Sequence, residues 1–463
     1  MQSKLIFSLL CLALTATVSA QSALNITRLG HWDDDTLPIA SPGSLNLQYS
    51  GIWGLTVNGR EIAVVGGALH VLFFDVTKPT EPKLIGKFAG NKNTIWREFK
   101  SYKNRVYGVS DNTDEGLMIF DLSKPDNIVR TYWKNEFFNS SHTITLDTVS
   151  GRIYLNGTNV ASEGSVLLSV RDNPDKPELL AVVPDLQCKY IHDSYVRGDT
   201  LYASSGGNGY CIYDMRDYTA PKFLAAENTG GYNHNSWLTT DGRYAYYTEE
   251  VPKGLPIRIV DLQKLGSGEI KAVGSFLDNL LNPTAPIKEA IAHNLYIRDN
   301  LLFVSQYEDG LLVYDISKPL QPVLRGFYDT HPQNIQYNTY YGNWGNYPWL
   351  PSGLIIVSDM QNGLSILKLD KSVGTSAAAG TLPVQVSPNP ASDALFVEIP
   401  DGHSAADLRY QLLSPAGQVL ARGASQGQSR LEIALAAVPA GLYFLHISGE
   451  DGQMAVQRVV VAR

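Results

Sequence analysis

The chain has 463 residues, of which 44 % are apolar and only 18 % charged, against about 25 % charged in ordinary soluble chains. That balance excludes a disordered or coiled-coil protein, and 25 tyrosines with 40 glycines favour short strands and turns. A net charge of −8 excludes the basic face that nucleic-acid binding requires.

In chain order, residues 1–20 carry Lys4, an apolar run from Leu5 to Ala16 and the small-residue exit Val18-Ser19-Ala20, which reads as a secretory signal peptide. No later stretch is apolar for 18 residues, so no membrane-spanning helix is expected. Two cysteines then remain, Cys188 and Cys211. In an oxidising compartment they form either a disulfide or two buried thiols.

From residue 21 to 370 one pattern recurs: an apolar strand ends in Asp and a proline-bearing turn follows. The clearest copies are Val71–Asp75 with Pro79 and Pro82, Leu117–Asp121 with Pro125, and Leu311–Asp315 with Pro319 and Pro322. Tyr210–Asp214 and Ile257–Asp261 are looser copies, and Val170 and Lys368 hold the same register without the Asp. The seven register positions lie about 49 residues apart. Such a period with four strands per unit predicts an all-β, seven-bladed β-propeller, the prolines falling between third and outer strands where no ladder bond is lost. The last copy lacks an outer strand, and Asn25–Asp34 resembles the outer strand Val323–Asp329, so the N-terminal strand is expected to close the ring and remove an exposed edge.

Inner strands line a propeller axis, and four of nine histidines, His142, His192, His234 and His293, fall at the start of inner strands. Equal offsets in the other copies give Trp53, Arg97 and Trp344, so the predicted axial ring reads Trp, Arg, four His, Trp. The next residues include Glu98 and Asp193. Imidazoles beside carboxylates suit a divalent metal such as zinc, held by His142, His192, His234 and His293, and Arg97 could clamp an anion. The other reading is architectural, with each His bonding the neighbouring blade. Alternation adds a second choice, because either the His set or the Glu98/Asp193 set should face away from the axis. Asp111–Glu115 lacks the Gly and Glu of a calcium loop and reads as an acidic solvent loop. Tyr337, Tyr340, Tyr341, Trp344, Tyr347 and Trp349 either stack on a sugar or peptide or pack over the channel.

Beyond the small-residue linker 371–382, residues 383–463 alternate as short strands separated by turns such as Pro415-Ala416-Gly417, the pattern of a small C-terminal β-sandwich. The succession Ser387-Pro388-Asn389-Pro390, Leu413-Ser414-Pro415-Ala416-Gly417-Gln418-Val419, Gly441-Leu442-Tyr443-Phe444-Leu445 and Arg458-Val459-Val460-Val461 resembles the type A C-terminal sorting domain of the type IX secretion system. The resemblance implies recognition by that machinery, export across the outer membrane, and release or attachment to surface lipopolysaccharide.

The apolar-Asp strand resembles that of the LVIVD-repeat proteins. The fuller pattern, His293-Asn294-Leu295-Tyr296, Asp309-Gly310-Leu311, Phe327-Tyr328-Asp329-Thr330, Trp344-Gly345-Asn346-Tyr347-Pro348 and Leu350-Pro351-Ser352-Gly353, resembles the choice-of-anchor B family over roughly residues 24–370. It implies a secreted architecture and no particular activity. The chain is thus expected to be a secreted or cell-surface binding platform for an extracellular glycan, peptide or protein, the alternative being a metal-assisted hydrolase or lyase built on the histidine ring.

Overall fold

The computed structural model describes residues 23–40, 45–265, 268–281, 287–334, 336–337, 340–370, 384–398, 408–413, 419–425, 430–448 and 454–462. The predicted signal peptide and linker lie outside the described residues. All regular structure described is strand, apart from one short 3-10 turn at Leu262–Lys264.

Residues 23–369 build seven sheets, antiparallel except where Gly268–Glu269 pairs parallel with Lys222–Glu227. Their first strands are Tyr49–Val57, Arg97–Tyr102, Thr143–Asp147, Asp193–Arg197, Asn233–Leu238, Leu295–Arg298 and Asn343–Tyr347. The first six sheets each run through four strands in chain order, and short extra strands, Gly268–Glu269 and Ala23–Leu24, edge the fourth and sixth. In the seventh, the fourth place is taken by Ile26–Trp32, which pairs with Gly363–Leu369 in the register Ile26 to Leu369 and Trp32 to Leu364.

The repeated Asp has a local cause. Asp75, Asp121, Asp214, Asp261 and Asp315 each end a third strand, and one carboxylate oxygen accepts the backbone N–H two residues on, at 2.7 to 3.0 Å. This Asx turn reverses the chain after the strand without a buried unpaired donor.

The core lies between neighbouring sheets. Phe73 and Val64 of the first meet Phe99, Val106 and Phe120 of the second. Ile356, Leu364 and Ile366 of the seventh meet Ala63, Leu72 and Phe74 of the first.

Residues 385–461 form two further sheets that share one core of Leu395, Ile433, Leu412, Leu445 and Val459. This unit packs on the sixth sheet. The Phe444 ring lies 5.5 Å from that of Phe327, and Arg458 donates to the Leu280 carbonyl at 3.1 Å.

Candidate functional site

The first strands of the seven sheets lie side by side, and at one end their starts surround a cavity of about 480 Å³. His142 and His192 immediately precede their strands, and His293 lies two residues before its own. His234 sits in a bulge between Asn233 and Asn235, and Trp344 in one between Asn343 and Gly345. A residue outside the ladder, or extra within it, escapes strict alternation. The histidines and the Glu98/Asp193 pair therefore both line the cavity, where alternation alone had predicted one set or the other.

The four imidazoles form a continuous arc with ring centroids 4.2, 4.3 and 4.0 Å apart from His142 to His293. Burial, reinforced by neighbouring imidazoles, holds His192 well below its ordinary pKa, and lowers His234 and His293 to about 3. Neutral rings can present a lone pair. A backbone carbonyl only accepts, so His293 Nδ1, 2.5 Å from the Trp344 oxygen, carries its hydrogen there. His142 Nδ1 likewise donates to Asp111 Oδ2 at 2.8 Å. By contrast His192 Nε2 and His234 Nδ1 are buried with no hydrogen-bond partner in the protein, at a cost of about 1–3 kcal/mol each if nothing else satisfies them.

Carboxylates complete the wall. Glu98 accepts from Trp344 Nε1 at 3.1 Å, and burial pushes its pKa up. Asp193 Oδ2 accepts from Asn235 Nδ2 at 2.7 Å. Burial raises the Asp111 pKa, but hydrogen bonds from His142 and Ser140 outweigh it and hold the group below the ordinary value. Glu250 accepts from Tyr307 at 2.9 Å, and its other oxygen lies 3.9 Å from His234 Nε2. Asp111, Glu250, Tyr232, Tyr307 and Trp96 were not among the sequence candidates for this ring. Asp111 and Glu250 just follow second strands, so the signal that finds them is a repeat alignment carried one or two residues past each second strand.

Two predicted ring members stand elsewhere. Arg97 pairs directly with Ser110, which places Trp96, not Arg97, in register with His142; the Trp96 and His142 rings are 6.2 Å apart. The Arg97 side chain is fully buried, bound to Glu115 and to the carbonyls of Gly67 and Lys92, and is not an anion clamp at the cavity. Trp53 follows a two-residue bulge between Tyr49 and Ile52. That shift carries it to an aromatic group with Tyr296, Tyr347 and Trp349. A slip of one residue turns a side chain to the other face, and counted offsets do not see bulges. The Asp111–Glu115 loop also differs from its expectation, because Glu115 is only 1 % exposed.

Cys188 and Cys211 are joined as a disulfide with Cα atoms 6.5 Å apart. The predicted aromatic loop divides: Tyr340 and Trp344 face the cavity, and Tyr337 donates to Asp309 at 2.7 Å. Among the described residues, one set of potential metal donors converges, His192, His234 and Glu250, with ligand atoms within 4.8 Å of one another. His142 and His293 are not part of that set.

Residues 385–462 match the family of secretion system C-terminal sorting domains. The protein is accordingly exported to the outer cell surface or the extracellular space. Among the described residues no helix is long and apolar enough to cross a membrane. No curated protein matches the sequence. Among solved structures, the chain is similar to PorZ, a surface component of the type IX secretion system of Porphyromonas gingivalis, at 12 % identity and a TM-score of 0.47 over 92 % of this chain. It is also similar to the extracellular domain of a protein named as a hybrid two-component system from B. thetaiotaomicron, at 13 % identity and 0.46 over 90 % of this chain. The chain spans 61 % and 57 % of the length of these two. A protein named as a 6-phosphogluconolactonase, from Bacteroides fragilis, is similar at 11 % identity and 0.47, with 67 % of this chain and 95 % of that one covered.

Proposed function

We propose that residues 21–370 are a seven-bladed propeller of the LVIVD-repeat, choice-of-anchor B kind, closed by the N-terminal strand. In this reading the ring serves as a secreted binding platform that holds the end of an extracellular glycan or peptide in its axial cavity. Pairing of Ile26–Trp32 with the last strand, and packing of the seventh sheet on the first, support the ring. The observation that carries the binding role is the cavity itself. At about 480 Å³ it falls within the range of small-ligand sites, and apolar rings alternate on its wall with a few convergent polar groups. Glu98, Asp111, Asp193 and Glu250 face one ammonium, Lys100, so neutral or cationic groups are favoured over anions. The enzymatic alternative draws on the same unpaired imidazoles.

The test is a glycan and peptide array probed with the mature protein and with Asn294→Trp, which fills the cavity from one wall. Ligands retained by the wild type and lost at least tenfold by the variant are expected. Equal retention by both, or no retention by either, removes the axial binding role.

A further inference from the structure

The axial cavity contains three donors whose own hydrogen bonding is incomplete. His192 Nδ1 lies 3.0 Å from the Tyr232 hydroxyl and 3.4 Å from that of Tyr190, while Nε2 is buried and unpartnered. His234 has Nδ1 unpartnered and Nε2 facing Glu250 at 3.9 Å, beyond hydrogen-bond reach. Glu250 Oε1 is taken by Tyr307, which leaves Oε2 directed at the imidazoles. The Tyr232 hydroxyl thus orients His192 and the Tyr307 hydroxyl orients Glu250, the arrangement by which outer partners fix metal-binding side chains, while His234 Nδ1 has no such neighbour. The histidines stand only 5 % exposed, so water does not freely satisfy them.

We propose that His192, His234 and Glu250 bind one divalent transition ion of the zinc class, with its remaining coordination positions open to the axial cavity. Two imidazoles and a carboxylate exclude calcium and magnesium, which take oxygen ligands, and fit zinc or its borderline neighbours. A tetrahedral ion with donors near 2.1 Å holds them about 3.4 Å apart. The three ligand atoms, now within 4.8 Å, need draw in by up to about 1.4 Å, a side-chain adjustment. His142 and His293, their Nδ1 atoms engaged by Asp111 and the Trp344 carbonyl, flank the ion site. Glu98 and Asp193 lie on the cavity wall that a ligand would share with the ion. The inference rests on the axial cavity being the binding site and names what anchors the ligand there: a neutral oxygen or nitrogen donor group, such as a hydroxyl or an amine, completing the coordination sphere.

The experiment uses the mature chain, stripped with chelator and dialysed, then titrated with zinc by calorimetry and followed by thermal melting. One equivalent per chain and a rise in melting temperature are expected. Glu250→Gln, which keeps an acceptor for Tyr307 but loses the charge, should weaken uptake at least tenfold, as should His234→Gln. If either variant melts early without metal, Tyr232→Phe replaces it; loss of the orienting hydroxyl should cost about tenfold in affinity. Absence of stoichiometric zinc in the wild type, or uptake unchanged across these variants, overturns the site. Array binding in the presence of chelator separates the two readings. Ligand retained without zinc uptake leaves the binding platform standing and removes the ion. Zinc uptake with an empty array does the reverse.

Discussion

His192 and Tyr195 lie on one inner segment of chain, as do His234 and Trp237, and His293 and Tyr296. Each pair is separated by three residues, about 10 Å along a strand. The first members form an arc of imidazoles open to the cavity. The second members, with Trp53, Tyr347 and Trp349, form a second tier of rings in which Trp349 lies 5.1 Å from both Trp237 and Tyr296 and 5.9 Å from Trp53. No polar atom of the second tier is left fully buried without a partner, and Trp53 Nε1 donates to Ser101 Oγ at 3.1 Å and Trp349 Nε1 to the Ile297 carbonyl at 3.2 Å. Two nitrogens of the first tier are left so. Both tiers are rich in rings, the second mostly half-buried, and only the first leaves buried nitrogens without a partner. A tier with no orphaned atom packs the axis, and a tier with buried nitrogens left open is where a ligand belongs.

Arg97 offers the largest effect with which to break this contrast, because it stands beside Trp96 at the level of the imidazoles yet has its charge fully matched. Arg97→Met would leave Glu115, also buried, without its cation, and should cost about 3–5 kcal/mol in denaturant unfolding. Arg97→Met with Glu115→Leu should recover much of that loss. A single variant as stable as the wild type would mean that closed bonding near the cavity is not structural.

Trp53→Ala follows in size. It removes one member of the second tier and the ring over which Lys100 sits at 4.2 Å, and should cost on the order of 3 kcal/mol. Zinc titration of the variant should stay within about twofold of the wild type, since Trp53 touches no imidazole. Joint loss of stability and zinc uptake would merge the two tiers into one unit.

How much of this was legible beforehand follows from which residues act locally. The strand ends could be read because Asp75, Asp121 and Asp315 each cap the turn beside them, a dependence spanning two residues. The sorting domain could be read from its turn sequences for the same reason. His142, His192, His234 and His293 could be read as a set because they recur at the same point of each repeat. Trp53 and Arg97 were misplaced by bulges and register, which depend on pairing between strands and leave no mark in spacing. Glu250 and Asp111 each stand one residue past a second strand, so a repeat alignment extended beyond that strand brings them into register, and only the fold shows that they reach the imidazoles.

Asp309 sharpens the contrast from outside the axis. It is a buried titratable group, like the imidazoles, but its oxygens accept from Tyr337, the Leu281 N–H and, at 2.6 Å, Gln306. Burial nevertheless raises its pKa to about 7, from an ordinary 3.8, so closed bonding does not make its charge welcome. Between these values the folded chain holds a proton that the unfolded chain has released. The stabilising contribution is therefore whole below pH 3.8, declines as pH rises, and is gone above about 7. The slope is at most about 1.4 kcal/mol per pH unit. Asp309→Asn has no proton to lose, so its stability relative to the wild type should improve by about that much per unit from pH 5 to 7 and then level off. Urea unfolding of both proteins at four pH values measures it, and a difference that stays flat across the range would show Asp309 to be ionised in the folded chain throughout.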